Sequence, residues 1–173
     1  MGRGRGAALP DGLTPLGMKE IEIVEVRSGA QLEQALAIRL AVFVEEQGVS
    51  RALEIDGRDG EARHLLALQD AVPVGTLRLR RVEDGRVAKI ERVAVLPAAR
   101  GAKVGRRLVA AALSLARAAG AEAAMLHAQT TVQEFYGRLG FVAFGPEFIE
   151  DSIPHIAMRL PLREHTGQRD GLA

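Results

Sequence analysis

From Glu20 to Val26 charged and β-branched positions alternate, with Glu20, Glu22 and Glu25 set against Ile21, Ile23, Val24 and Val26. That period of two predicts a half-buried strand. Ser28 then offers a cap, and Leu32, Leu36, Leu40 and Phe43 recur near 3.6 residues with Ala35 between them, so a helix is expected up to Gly48. The stretch 49–61 holds Glu54, Asp56 and Asp59 beside Gly57 and Gly60 and reads as a solvated polar loop. Two strands follow, 64–69 and 72–82, around an Asp70-Ala71 turn, with Pro73 confined to a strand start or bulge because it lacks an N–H. Asp84-Gly85 is a hairpin signal leading into a third strand, 86–95. Pro97 stops it. An alanine-rich helix over 106–119 ends at Gly120, a short apolar strand runs 121–128, and a second amphipathic helix over 130–139 stops at Gly140. Strands at 141–144 and 153–160 close the pattern. The order predicts an α/β (α+β) fold with a mixed, largely antiparallel central sheet and flanking helices.

The two ends carry neither period. Residues 1–17 are rich in glycine and proline, and 163–173 are polar, so both are expected to be tails around one domain spanning 18–162. With 173 residues, the chain is long enough to bury an apolar core.

Composition narrows the chemistry. The chain has no cysteine, which excludes disulfides, cysteine-held metals and thiol nucleophiles. Its formal net charge of +1 and 3% aromatic content give no footing for nucleic acid. No apolar run approaches the roughly 20 residues of a membrane span, and the start of the chain has no hydrophobic stretch of the secretory kind; a cytoplasmic protein is expected. Four scattered histidines show no metal-ligand spacing, and no metal is expected. The single tyrosine, Tyr136, stands out.

The most informative stretch is the strand 86–95, the loop Arg100-Gly101-Ala102-Lys103-Val104-Gly105 and the helix that starts at Arg106. A strand feeding a glycine-containing loop into a helix N-terminus gathers free backbone N–H groups where the helix dipole also favours an anion. Arg100, Lys103, Arg106 and Arg107 add cations there. The spacing of Gly101 and Gly105 fails the Walker A pattern, and a G-x-G-x-x-G fingerprint is absent.

Farther along comes Glu134-Phe135-Tyr136-Gly137-Arg138-Leu139-Gly140-Phe141. Together with Val93-Ala94-Val95-Leu96-Pro97 and the Arg100–Gly105 loop, it resembles the GNAT superfamily of acetyl-CoA-dependent N-acetyltransferases. Val42-Phe43-Val44, Glu46-Gln47, Glu54, Asp56, Asp59, His64, Gly75-Thr76, Arg78, Ala128-Gln129 and His155 are similar to the ElaA branch. The resemblance covers about residues 20–162.

It implies a splay between the fourth and fifth strands that admits acetyl-CoA as co-substrate. The backbone of Val93, Ala94 and Val95 would pair with pantetheine and polarise the thioester. Arg100, Gly101, Ala102, Lys103, Val104, Gly105 and Arg106 would hold the pyrophosphate, and Gln129 would reach the pantetheine arm. The chain departs from the family at Lys103, which stands where the loop's middle glycine is usual, and at Gln129, where asparagine is common. An amine acceptor, small molecule or protein, would attack directly, so a neutral amine and a proton acceptor are needed. Tyr136 is the implied acid for the departing thiolate. Glu91 is the first base candidate, since it lies two residues before Val93 with the same expected facing; Glu46 and His64 stand behind it, and His127 and His155 are similar to His64. A non-catalytic acyl-CoA-binding regulatory module is the alternative reading. Neither nucleic acid nor membrane is an expected partner, and a homodimer is compatible with the sequence.

Overall fold

The computed structural model describes residues 20–163, so both expected tails lie outside the described residues apart from Arg163. Seven strands form one sheet in the order β1-β2-β3-β4-β5-β7-β6. They are β1 (Ile21–Glu25), β2 (Arg63–Gln69), β3 (Val72–Val82), β4 (Val87–Val95), β5 (Ala123–Gln129), β6 (Val142–Glu150) and β7 (Ile153–Pro161). Every neighbouring pair is antiparallel except β4 and β5. The helices are α1 (Gly29–Arg39), α2 (Arg51–Glu54), α3 (Val104–Ala118) and α4 (Gln133–Gly137).

Both faces of the sheet are covered, and consecutive residues of β2 show it. Leu65 joins a large core with Leu77, Leu79, Ile90 and Leu126 beneath the α3 residues Leu108, Val109 and Ala112. Leu66 points the other way, into a smaller core with Ala35, Ile38 and Val42. α3 lies close on β3: a Cβ built on Gly75 would sit 3.0 Å from Val104 Cγ1 and 3.2 Å from Leu108 Cδ1. Glycine is needed there because the helix packs on strand backbone.

Four expectations change. The helix from Ser28 does not stay α-helical to Gly48. Its last part, Leu40–Glu46, widens into a π-helical segment, with Gln47 N–H bonding to Val42 O. The loop 49–61 contains α2 and a 3₁₀ turn at Asp59–Glu61, and although most of it is exposed its acids are not free in solvent: Glu54 is only 2% exposed, and Asp56 and Asp59 are partly buried. The expected helix 130–139 is the short α4 after a 3₁₀ turn at Thr130–Val132. The strand expected at 141–144 runs on to Glu150 through a register shift between Phe144 and Phe148. Pro73 behaves as its chemistry demands, near the start of β3 and beside a register shift at Ala67/Leu68.

Candidate active site

The site opens where β4 and β5 part. Their parallel pairing covers only Val87–Lys89 against Ala123–Met125. Beyond it β4 keeps β3 as its partner, through Thr76↔Ala94 and Gly75↔Val95, while β5 continues beside β7 as far as Gln129↔His155. The edge of β4 at Val93–Val95 that faces β5 therefore has no strand to pair with, and its backbone groups face a cleft of about 920 Å³. Val93, Val95 and Leu126 line this cleft, as do Gly101, Lys103, Val104, Gly105 and Arg106. Ala94 and Ala102 do not: the Ala94 side chain is buried in the smaller core.

A bulge helps drive β4 away. Arg92 has φ of +54°, and Arg92 and Val93 together stand opposite Leu77 of β3. One extra residue reverses the alternation of faces. Ile90, Val93 and Val95 consequently pack on the α3 side, whereas Ala94 packs on the α1 side. Glu91 and Val93 do not share a facing, contrary to what their spacing of two residues predicts for a regular strand.

At the far end of the cleft the Arg100–Gly105 loop turns into α3. Lys103 occupies the left-handed region, φ +61°, and Gly101 does too, φ +85°. The Lys103 carbonyl accepts from Arg107 N–H, no side chain caps the helix, and its first turn holds no acid. The N–H groups of its first residues are thus available to an anion. Lys103 and Arg106 line the cleft here. Arg100 is engaged otherwise: its guanidinium forks onto Glu46 at 2.8 and 2.7 Å and its Nε donates to Val95 O at 3.1 Å. Glu46, held below the usual carboxylate range by hydrogen bonds from Arg100, is a clasp for the loop. Its neighbour Gln47 accepts a hydrogen bond from Gln129 Nε2 at 2.8 Å. The π-helical segment thereby leads to two consecutive side chains that reach the two walls of the cleft, one on each.

Tyr136 lines the cleft. Its ring is 8% exposed and edge-on to both Phe135 and Phe141. Burial pushes the phenol up to about 12, so it keeps its proton, and among the described residues its hydroxyl donates to no protein acceptor.

Glu91 also lines the cleft, yet its carboxylate is surrounded by cations. Arg78 Nε lies at 3.0 Å, Arg80 Nε and Nη2 at 2.7 and 2.8 Å, and Lys89 Nζ at 3.4 Å. Burial raises its proton affinity, but these neighbours outweigh burial and hold it at about 2. A carboxylate so stabilised has little drive to take a proton from an amine.

Glu91 belongs to a larger network that the sequence does not announce. Arg78, 1% exposed, also forks onto Asp56 at 2.7 and 2.8 Å and meets Asp59 at 3.0 Å. Arg39, fully buried, pairs with Glu54 and with Asp59 at 2.6 Å. Arg92 Nε approaches Glu54 at 2.8 Å as an ion pair, though out of line for a hydrogen bond. His64 is 4% exposed, its Nε2 3.0 Å from Asp59 O, and it does not line the cleft.

The sequence gives no reason to prefer His127 over the other histidines, because its partner is not apparent. His127 lines the cleft, its Nδ1 3.0 Å from Glu150 Oε2. The alternation His127, Gln129 on β5 signals a shared face; the partner Glu150 was invisible because it sits on a part of β6 whose sequence reads as loop. Among the described residues no group of three or more metal-ligating side chains is placed to hold an ion, and no helix is long and apolar enough to cross a membrane.

Comparisons with known proteins agree with this geometry. A family model for the acetyltransferase (GNAT) domain matches residues 26–162. YjcF of Bacillus subtilis, named as an uncharacterized N-acetyltransferase, is 36% identical over 139 residues, 80% of this chain and 98% of its own. The crystal structure of Escherichia coli ElaA superposes with a TM-score of 0.72 at 34% identity, covering 81% of this chain and 99% of that one. An acyl-CoA N-acyltransferase from Pseudomonas aeruginosa does so with 0.71 at 35%, over 81% and 99%. With a splayed sheet, a cleft ending at a helix N-terminus and a family match over most of its length, the chain belongs to the GNAT family of acetyltransferases.

Proposed function

We propose that the protein transfers the acetyl group of acetyl-CoA to a primary amine by direct attack. One observation carries this reading: the cleft runs from the uncapped N-terminus of α3, beside Lys103 and Arg106, along the unpaired edge of β4 to the protonated hydroxyl of Tyr136. Pyrophosphate fits the first end, because backbone N–H groups and two cations converge there. The pantetheine arm fits the strand edge, which offers amide pairing in an extended register. A thioester carbonyl at the bulge would meet the N–H of Val93 or its neighbours, and these donors stabilise the oxyanion that forms under attack. Tyr136 then donates a hydrogen bond to the departing sulfur. Its proton affinity exceeds that of an ordinary thiol, near 8.5, so it steadies the thiolate by hydrogen bonding and solvent completes the protonation.

The test is release of free CoA from acetyl-CoA with a panel of primary amines, alkyl and peptidyl. Turnover with at least one is expected, and Tyr136→Phe is expected to lower kcat about 10- to 100-fold with acetyl-CoA affinity nearly unchanged. Tight binding of acetyl-CoA without release for any amine would favour a regulatory acyl-CoA module instead. Equal turnover in Tyr136→Phe would return that residue to packing.

A further inference from the structure

Direct attack leaves one proton without an owner, because Glu91 is committed to three cations. Resting on the acetyl-transfer reading, we infer that His127 is the general base of this site and that Glu150 positions it.

The strands set the position of the ring. β4 and β5 last pair at Lys89↔Met125, so His127, two residues farther along β5, is on the face of Met125 and just inside the split. Leu126 and Ala128, its neighbours, point into the α3-side core, which leaves His127 and Gln129 on the opposite face. β7 runs alongside with Gln129↔His155, and β6 places Phe148 opposite His155. Phe148 sits edge-on to the His127 ring, centroids 4.9 Å apart, and fixes its plane.

Glu150 fixes the tautomer. The hydrogen bond from His127 holds the Glu150 carboxyl below its usual range, so it is ionised and can only accept. His127 Nδ1 must then carry the proton and donate it to Oε2 at 3.0 Å. The Nε2 lone pair is left free, with no partner among the described residues, on a side chain 29% exposed along the cleft wall. An imidazole whose far nitrogen is held by a carboxylate is arranged to take a proton, because the carboxylate offsets the imidazolium that results.

The charged groups around it are consistent. Lys89 on β4 is met by Glu91 at 3.4 Å, which counters a cation that would otherwise oppose a second positive charge. His155 has its Nδ1 2.8 Å from Ile153 O, a neutral carbonyl, so Glu150 acts on it only through space, whereas it holds His127 by a direct hydrogen bond. In the step, the amine nitrogen bonds to the thioester carbon as Nε2 takes its proton. The C–S bond breaks with its electron pair on sulfur, and His127 returns the proton to solvent.

Two measurements test this. Nitrogen-15 NMR of the wild-type chain at a pH where its histidines are neutral should show His127 as the Nδ1–H tautomer, and Glu150→Gln should shift it; an Nε2–H tautomer in the wild type overturns the inference whatever the activity. With an amine that the wild type acetylates, His127→Ala should lose about 100-fold or more in kcat with acetyl-CoA affinity unchanged, and added imidazole should restore part of the rate. Glu150→Gln should lose about 10-fold in kcat at unchanged KM for acetyl-CoA. Turnover of His127→Ala within threefold of wild type, or a larger loss from His155→Asn, overturns the assignment. A wild type that binds acetyl-CoA and acetylates nothing removes the acetyl-transfer reading, a result separable from failure of His127 alone.

Discussion

Lys103 shows how one residue departs from a family pattern while keeping its geometry. At φ +61° and ψ +17° it takes the left-handed conformation that the usual glycine adopts without steric penalty. An L side chain there costs about 1 kcal/mol. The retained strain is understandable if the ammonium returns something, and Lys103 lines the cleft at the N-terminus of α3. Lys103→Gly is therefore expected to raise thermal stability by about 1 kcal/mol while weakening acetyl-CoA binding several-fold, with the loss shrinking as salt rises. Calorimetric titration at two salt concentrations reads the affinity, and a thermal melt reads the stability. Unchanged affinity would mean that Lys103 contributes only backbone shape. The sequence displayed the substitution, but the φ that makes sense of it belongs to the folded loop.

Between elements, two glycines of similar appearance do different work. A Cβ on Gly75 would crowd Val104, Leu108 and the Ala94 carbonyl, so Gly75→Ala should destabilise the fold by about 1–3 kcal/mol as α3 is pushed off β3. A Cβ on Gly105 would meet Phe135 Cζ at 3.5 Å, an ordinary contact. Gly105→Ala should keep the melting temperature within a degree or two yet weaken acetyl-CoA binding, since a pyrophosphate bound as proposed would need the space. A stability loss in Gly105→Ala with affinity intact would refute that division. The strands, α1 and α3 were legible because burial on one or two faces writes a period into the sequence. The π-helical segment was not, since Leu40–Glu46 has the same apolar spacing in either helix type and only backbone hydrogen bonding such as that of Gln47 to Val42 distinguishes them. The bulge at Arg92 was equally silent, and it reverses the facing of Val93 relative to Glu91. The glycine-containing cationic loop before α3 was readable from local composition; the His127–Glu150 pair depends on the register of β6 against β7 and β7 against β5.

Across the whole molecule, the near-neutral net charge conceals two separate arrangements of arginine. One is the open cationic loop at α3. The other is the network that joins α1 through Arg39, α2 through Glu54, the following loop through Asp56 and Asp59, and the central strands through Arg78, Arg80, Glu91 and Arg92. In this network four guanidinium groups face four carboxylates, several with almost no exposure, so protonating a carboxylate leaves a buried cation poorly compensated. Glu91 is held at about 2, and Asp56 and Asp59 are also depressed, Asp56 chiefly by hydrogen bonds from Arg78 and Asp59 by Arg39 and Arg78 against the opposing effect of burial. In the unfolded chain these groups return to about 4. A folded value below the unfolded one means the stabilisation is complete above about pH 5 and is lost as pH falls toward 2. The melting temperature should hold steady from pH 8 to 5 and then fall steeply. Glu91→Gln should cost about 1–3 kcal/mol at pH 7 and make the acid decline shallower, because one of the titrating groups is gone. The exposed Arg100–Glu46 clasp should contribute little to either, because solvent screens it. Thermal melts of wild type, Glu91→Gln and Glu46→Gln from pH 3 to 8 separate these contributions. An acid decline equally steep in Glu91→Gln would remove Glu91 from the groups that hold the fold together.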